Sequence, residues 1–140
     1  MNTRSLIVFA IVGFFLGAFF AEIGCLLGGC GVGIESSQFF AVTQVGVIGK
    51  RFPIQFFESL IFLFSFFAFW KAVLKFHVEG SLLAKGLIFI GFVKLAAILF
   101  KSQTQSIRVL NYDFNLELIA SAVILGVGLR LYYGVYRKTP

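Results

Sequence analysis

The chain has 140 residues, of which 59% are hydrophobic and only 13% are charged, and its mean hydropathy is +0.98. A soluble domain of this length cannot bury so much apolar surface, so the composition predicts an integral membrane protein. The net charge of +6 is spread over loops and helix ends instead of forming one basic run. That distribution indicates attraction to lipid headgroups and argues against a nucleic-acid partner.

The cysteine and histidine content argues against a metal site or a bound cofactor. The chain has one histidine and two cysteines, and the spacing of Cys25 and Cys30 matches no metal motif. Two cysteines are also too few for a disulfide framework. We therefore expect Cys25 to be a small packing residue and Cys30 to be a free thiol.

Four apolar stretches are each long enough to cross a bilayer as a helix. In chain order they cover residues 6–27, 53–73, 81–100 and 116–136. No linker or internal repeat interrupts them. The sequence therefore predicts a single all-α membrane domain over residues 1–140, with four transmembrane helices and a polar loop between the first and the second. Residues 42–48 of that loop are expected to pair as a short strand or to lie at the membrane interface.

Small residues recur along the first span at a spacing of about one helical turn. They are Gly13, Gly17, Ala21, Gly24 and Gly28. This spacing allows a second helix to approach closely. The face is expected to pack either inside the chain or against a partner, which would make a homo- or hetero-oligomer.

Four spans place both termini on the same side of the membrane, and the flanking cations indicate which side. Five of them are on the side of the termini, at Arg4, Lys71, Lys75, Arg137 and Lys138. Four are on the other side, at Lys50, Arg51, Lys101 and Arg108. Because cytoplasmic ends carry an excess of Lys and Arg, this bias predicts cytoplasmic termini.

Ionisable residues inside the spans are predicted to meet at one depth. Glu22 lies near the outer end of the first span. At a rise of about 1.5 Å per residue, Glu58 lies about 8 Å below the outer end of the second span and Lys94 about 10 Å below that of the third. Glu117 opens the fourth span on the same side. Because charges in a membrane usually pair inside the bundle, Glu22 is expected to pair with Lys94 or Arg51.

The junction between the first loop and the second span has the composition of an anion site. Lys50 and Arg51 precede Pro53, which is favoured as the first residue of a helix. Gln55 and Glu58 follow three residues apart, so both point from one side of the helix. A helix N-terminus with adjacent cations suits a phosphate. The alternative is that the two cations only anchor the helix at the headgroups.

Three segments, in this order, resemble the bacterial prolipoprotein diacylglyceryl transferases. Residues 21–33, AEIGCLLGGCGVG, resemble the family signature, with Gly24 and Gly33 at two of its glycines and Glu22 in place of an arginine. Residues 51–58, RFPIQFFE, resemble the family motif R-H-P-S-Q-L-Y-E. Residues 91–95, GFVKL, followed by Lys101, are similar to a third family segment, with Lys94 in place of an arginine. The likeness covers the C-terminal four helices of a seven-helix family.

The resemblance implies an enzyme of the bacterial inner membrane that handles phosphatidylglycerol or another anionic phospholipid. The family transfers a diacylglyceryl group to a cysteine of a prolipoprotein and releases glycerol phosphate. Carried over residue by residue, the resemblance implies catalytic roles for Arg51 and Glu58. It implies substrate binding by Lys50, Gln55, Lys94, Glu22, Gly24 and Gly33. No cofactor is implied.

Two other functions are compatible with the sequence. The first is a small four-helix transporter of the multidrug type, in which Glu22 would face a water-filled cavity at the middle of the membrane. The second is a catalytically inactive membrane adaptor. Neither alternative accounts for the segment from Arg51 to Glu58.

Overall fold

The computed structural model of the chain describes residues 3–76, 80–102, 106–109 and 112–137, and it is all-helical apart from short hairpins. The four helices are α1 (Thr3–Gly28), α2 (Ile54–Phe76), α3 (Gly80–Ile98) and α4 (Leu116–Tyr136). All four are long and apolar enough to span a membrane, which confirms the predicted fold class. Residues 77–79, in the connection between the second and third predicted spans, lie outside the described residues.

Helices α2 and α4 begin at recognisable capping positions. The Pro53 carbonyl accepts hydrogen bonds from the backbone N–H groups of Phe56 and Phe57, so Pro53 lies just before the first helical residue. This position is one residue from the predicted one. At α4, the Asn115 side chain accepts a hydrogen bond of 3.1 Å from the backbone N–H of Leu118 and caps the helix.

The helices pack in sequence, with α1 on α2 and α3 on α4, while α3 also contacts α1 and α2. The main core consists of Ile11 and Phe15 of α1, Phe62 of α2, and Ile90 and Val93 of α3. Hydrocarbon lipid gives no hydrophobic driving force between helices, so close van der Waals packing stabilises such a bundle. Helix α4 lies outermost and packs on α3 alone among the described helices.

Glycines allow α3 and α4 to approach closely. A Cβ added at Gly91 would lie 2.8 Å from the backbone nitrogen of Leu125. A Cβ added at Gly128 would lie 2.8 Å from the backbone nitrogen of Ile88. Both distances are shorter than a van der Waals contact, so this helix pair requires the absence of a side chain at both positions.

Two antiparallel hairpins lie between helices. Strand β1 (Val42–Thr43) pairs with β2 (Lys50–Arg51), so the strand expected within residues 42–48 is confirmed for its first two residues. Strands β3 (Ser106–Val109) and β4 (Tyr112–Asn115) pair antiparallel before α4, between the third and fourth predicted spans. The polar character of the first loop is not confirmed, because Phe39 and Ile48 are 96% and 95% exposed.

The first loop folds over the end of the bundle and joins α2 to α3. Ile34 donates a backbone hydrogen bond of 3.0 Å to Phe100 and accepts one of 2.9 Å from Phe52. Gly33, between these contacts, is buried, and a Cβ there would lie 1.9 Å from the Phe52 carbonyl oxygen. Only glycine therefore fits at this crossing, which fixes the start of α2 beside the end of α3.

Candidate functional site

Five charged side chains form a continuous row at the end of the bundle that the first loop covers. Lys94 Nζ contacts the carboxylates of Glu22 and Glu58, and its distance to Glu58 Oε1 is 2.9 Å. Lys101 Nζ contacts Glu117 Oε1 at 2.5 Å and lies 3.4 Å from Glu58 Oε2. We call these five residues the charged row. Negative and positive charges alternate along it, and it links all four helices.

The centre of the charged row is the most deeply buried part of it. The side chains of Glu58 and Lys101 are 1% and 6% exposed, whereas those of Glu22, Lys94 and Glu117 are 11%, 21% and 25% exposed. Lys94 Nζ also lies 5.3 Å from the centre of the Phe62 ring, at cation–π distance. A buried charge is tolerated only when opposite charges and hydrogen bonds surround it, and the row supplies both.

The row confirms the predicted convergence and extends it. The expected pairing of Glu22 is confirmed with Lys94, and Glu58 joins them at the same end of the bundle. Two more residues complete the row: Glu117, and Lys101, which we had placed among the flanking cations and after the third family-like segment. Helical periodicity could not place Lys101, because α3 ends at Ile98 and Lys101 follows the turn after it.

Gln55 ties the first loop to α2. It is fully buried, and its Nε2 donates hydrogen bonds of 2.6 Å and 2.8 Å to the carbonyl oxygens of Cys30 and Gly31. Its Oε1 accepts a hydrogen bond of 3.0 Å from Gln44 Nε2. Gln55 therefore holds the end of α1 beside the first turn of α2, one turn before Glu58.

The two cysteines form a disulfide, so the prediction of a packing cysteine and a free thiol is wrong. Helix α1 ends at Gly28, and Gly29 adopts a left-handed conformation with φ of 75°. This reverses the chain, and the backbone N–H of Cys30 donates to the Cys25 carbonyl at 3.0 Å. The turn brings the two Cα atoms to 4.8 Å, within reach of a disulfide.

Arg51 lies outside the charged row. It is half-buried on β2, and its Nη2 donates a hydrogen bond of 3.4 Å to the Ile48 carbonyl. Among the residues that the structure describes, it forms no ion pair, and its buried Nε has no hydrogen-bond partner. The neighbouring Lys50 is exposed on the same strand. The predicted pairing of Glu22 with Arg51 therefore does not occur.

An apolar cleft of about 270 Å³ lies between α2 and α3, beside the charged row. Its lining residues are Phe52, Ile54, Phe57, Glu58, Ile61, Phe92, Val93, Ala96, Ala97 and Phe100. Ile61, Phe92 and Phe100 are exposed, so the cleft opens on the outer apolar surface of the helices. Pockets for whole small molecules measure roughly 300–1,000 Å³, so this cleft suits part of a larger apolar molecule.

The glycine face of α1 is open. Within the described part of the chain, a Cβ added at Gly13, Gly17, Gly24 or Gly28 would meet nothing within 4 Å. Of the two expectations for this face, packing inside the chain is therefore wrong for these glycines, and packing against a partner stays a prediction. Gly24 belongs to this face, and its expected role in substrate binding stays a prediction.

No family model, no curated protein and no solved structure matches this chain.

Proposed function

We propose that this membrane protein handles an anionic phospholipid, with phosphatidylglycerol as the preferred lipid, at the cleft between α2 and α3. The observation that carries the proposal is Glu58, which lines an apolar cleft and whose buried carboxylate is held by two lysines directly beside it. Lipids are amphiphilic, and a site for one needs an apolar channel that ends at polar groups. Charges kept inside a membrane at such a place usually have a functional reason.

The lipid phosphate is assigned to Arg51. This residue directly precedes Phe52, which lines the cleft, and its guanidinium has no carboxylate partner within the described part of the chain. A guanidinium grips two phosphate oxygens at once and stays charged at any physiological pH. An acyl chain in the cleft and a phosphate at Arg51 account for both the apolar lining and the free cation.

The more specific form of the proposal is a diacylglyceryl transferase. Its support is that Glu22, Gln55, Glu58, Lys94 and Lys101, all within segments that resemble that family, lie together at one end of the bundle. In this reaction a cysteine thiol of a prolipoprotein loses its proton and its sulfur bonds to a glycerol carbon. The bond from that carbon to the phosphate oxygen breaks, and glycerol phosphate leaves with the proton that the thiol gave up.

The transporter alternative has less support. It requires Glu22 to face a cavity, but Glu22 lines neither this cleft nor a second one of about 450 Å³ that α1, α3 and α4 form. Glu22 is instead occupied by Lys94. An inactive adaptor with the same fold would bind the lipid without transferring it, so an assay of diacylglyceryl transfer to a lipobox peptide separates that alternative from the enzyme.

Replacing Arg51 tests the phosphate site. Arg51→Lys keeps the charge and loses the two-pronged hydrogen bonding, so we expect the affinity for phosphatidylglycerol to fall about tenfold, since hydrogen bonds to charged groups contribute about 1.5–3 kcal/mol. Arg51→Ala removes the charge as well and is expected to weaken binding further. Lipid binding to the purified full chain in detergent or nanodiscs measures both effects.

The matched control is Lys71→Gln, which removes an exposed cation at the other end of α2 and is expected to leave the affinity unchanged. A cation that only anchored the helix would tolerate the exchange of Arg51 for Lys. Wild-type affinity in both Arg51 variants would therefore refute the phosphate site.

We further propose that the end with the charged row faces away from the cytoplasm of a bacterial inner membrane. The cation bias supports cytoplasmic termini, and the Cys25–Cys30 disulfide supports the same orientation because disulfides persist in oxidising compartments. A reporter fused after Pro140 is expected to be active in the cytoplasm. Activity only in the periplasm would contradict this orientation.

A further inference from the structure

The orientation of two buried glutamine side chains follows from their hydrogen-bond partners. The carbonyl oxygens of Cys30 and Gly31 can only accept, so Gln55 must direct its NH₂ group towards them. The Gln55 Oε1 atom then faces Gln44 and can only accept, so Gln44 must donate from its NH₂ group. The distance from Gln44 Nε2 to Gln55 Oε1 is 3.0 Å. This order leaves the Gln44 Oε1 atom pointing away from Gln55.

That remaining oxygen is buried without a donor. Gln44 is 4% exposed, and its Oε1 has no hydrogen-bond partner among the described residues. Two other buried side-chain atoms of the described residues share this condition, namely Glu58 Oε2 and Arg51 Nε. Glu58 Oε2 has Lys101 Nζ at 3.4 Å, which is close enough for an ion pair but does not make a hydrogen bond. The three atoms belong to neighbouring parts of the fold: Gln44 bonds to Gln55, one turn before Glu58, and it follows β1, which pairs with the strand that ends at Arg51. Buried polar atoms are almost always paired, so three exceptions in this region point to a ligand.

The three atoms define the chemistry of their complement. Gln44 Oε1 and Glu58 Oε2 accept hydrogen bonds, whereas Arg51 Nε donates one. A complementary ligand therefore carries hydroxyl donors together with an anionic acceptor. A phosphodiester with a hydroxylated headgroup has both, and a phosphodiester with a simple alkyl headgroup has only the acceptor.

We propose that Gln44 is a specificity-determining residue whose Oε1 accepts a hydrogen bond from a headgroup hydroxyl of the bound phospholipid. The proposal rests on the lipid site assigned above and adds to it the residue that distinguishes headgroups with a hydroxyl from headgroups without one. Gln55 acts as a positioning residue, because its contacts with Cys30 and Gly31 set the direction of the Gln44 amide.

Two lipids of equal charge test this role on the full chain in detergent. Phosphatidylglycerol carries headgroup hydroxyls, and phosphatidylmethanol carries the same phosphodiester without a donor. We expect the wild type to prefer phosphatidylglycerol about tenfold, because the donorless lipid leaves the Gln44 oxygen unpaired. Gln44→Met is expected to abolish this preference, so that the variant binds both lipids with equal affinity. Gln38→Met, at an exposed glutamine of the same loop, is expected to preserve the preference.

The outcomes separate this proposal from the proposed function. If Gln44→Met lowers the affinity for both lipids by the same factor, Gln44 has only a structural role and the headgroup proposal is overturned. Equal affinity of the wild type for the two lipids also overturns it, without requiring any variant to fold, and indicates that water satisfies the Gln44 oxygen. In both cases an Arg51-dependent affinity leaves the lipid site standing. If the wild type binds neither lipid, the proposed function fails as well.

Discussion

At the scale of single residues, Lys94 is the side chain on which the charged row depends most. It contacts two carboxylates, so its removal leaves Glu22 and Glu58 without their shared partner. Breaking a buried ion pair by removing one side typically costs about 3–5 kcal/mol, because the other charge stays buried and uncompensated. We therefore expect Lys94→Met to lower the free energy of unfolding by about this amount, as measured by unfolding in detergent.

The control for this prediction lies on the same helix. Lys85→Met removes an exposed lysine of α3 and is expected to change stability by less than about 0.5 kcal/mol. In Lys94→Met, Glu22 and Glu58 both lose their contact with the lysine. Adding Glu22→Gln to Lys94→Met removes the charge of one of these two carboxylates and is expected to restore part of the lost stability. Equal unfolding free energies for the two lysine variants would show that the row does not stabilise the bundle.

The residues of the site were only partly predictable. Depth along each span located Glu22, Glu58 and Lys94 at one level, because the rise per residue of a helix is fixed. Depth does not give the direction of a side chain, so the choice between Lys94 and Arg51 as partner of Glu22 required the packed helices. The unpaired state of Gln44 Oε1 was not predictable either. It results from hydrogen bonds that connect Gln44 through Gln55 to the carbonyl groups of Cys30 and Gly31, which are far apart from Gln55 in sequence.

At the scale of secondary-structure elements, the contact of α3 with α4 depends on the absence of side chains. A Cβ at Gly128 would collide with the backbone of Ile88, whereas a Cβ at Gly126 would meet no atom of the described residues within 4 Å. We expect Gly128→Leu to destabilise the protein by about 1–3 kcal/mol through overpacking. Gly126→Leu, two residues away, is the matched control and is expected to be tolerated. Similar unfolding temperatures for the two variants would contradict the close α3–α4 packing.

The helices were predictable and the connections between them were not. Runs of about 20 apolar residues are sufficient to identify transmembrane helices, and the structure has its four helices in those places. The pairing of β1 with β2 involves two residues on each side, too few for a period-two pattern. The disulfide depends on the left-handed turn at Gly29, and the cysteine count gave no indication of it.

At the scale of the whole molecule, the first loop and the charged row close one end of the bundle beside the cleft. The cleft was not predictable from hydropathy, which does not distinguish an aromatic residue facing lipid from one facing the core. Phe92 is 64% exposed at the cleft, while Phe62 is fully buried in the core. Only the mutual rotation of α2 and α3 decides which of these roles a phenylalanine takes.

The lipid site at this cleft is tested most directly by photo-cross-linking the full chain to phosphatidylglycerol that carries a photoreactive group on an acyl chain. Mapping the cross-linked peptides by mass spectrometry shows where the chain of the bound lipid lies. We predict cross-links concentrated on residues 52–61 and 92–100, which line the cleft, and we predict that excess unlabelled phosphatidylglycerol removes them. Cross-links spread evenly over the outer surfaces of all four helices, and insensitive to the competitor, would contradict a lipid site between α2 and α3.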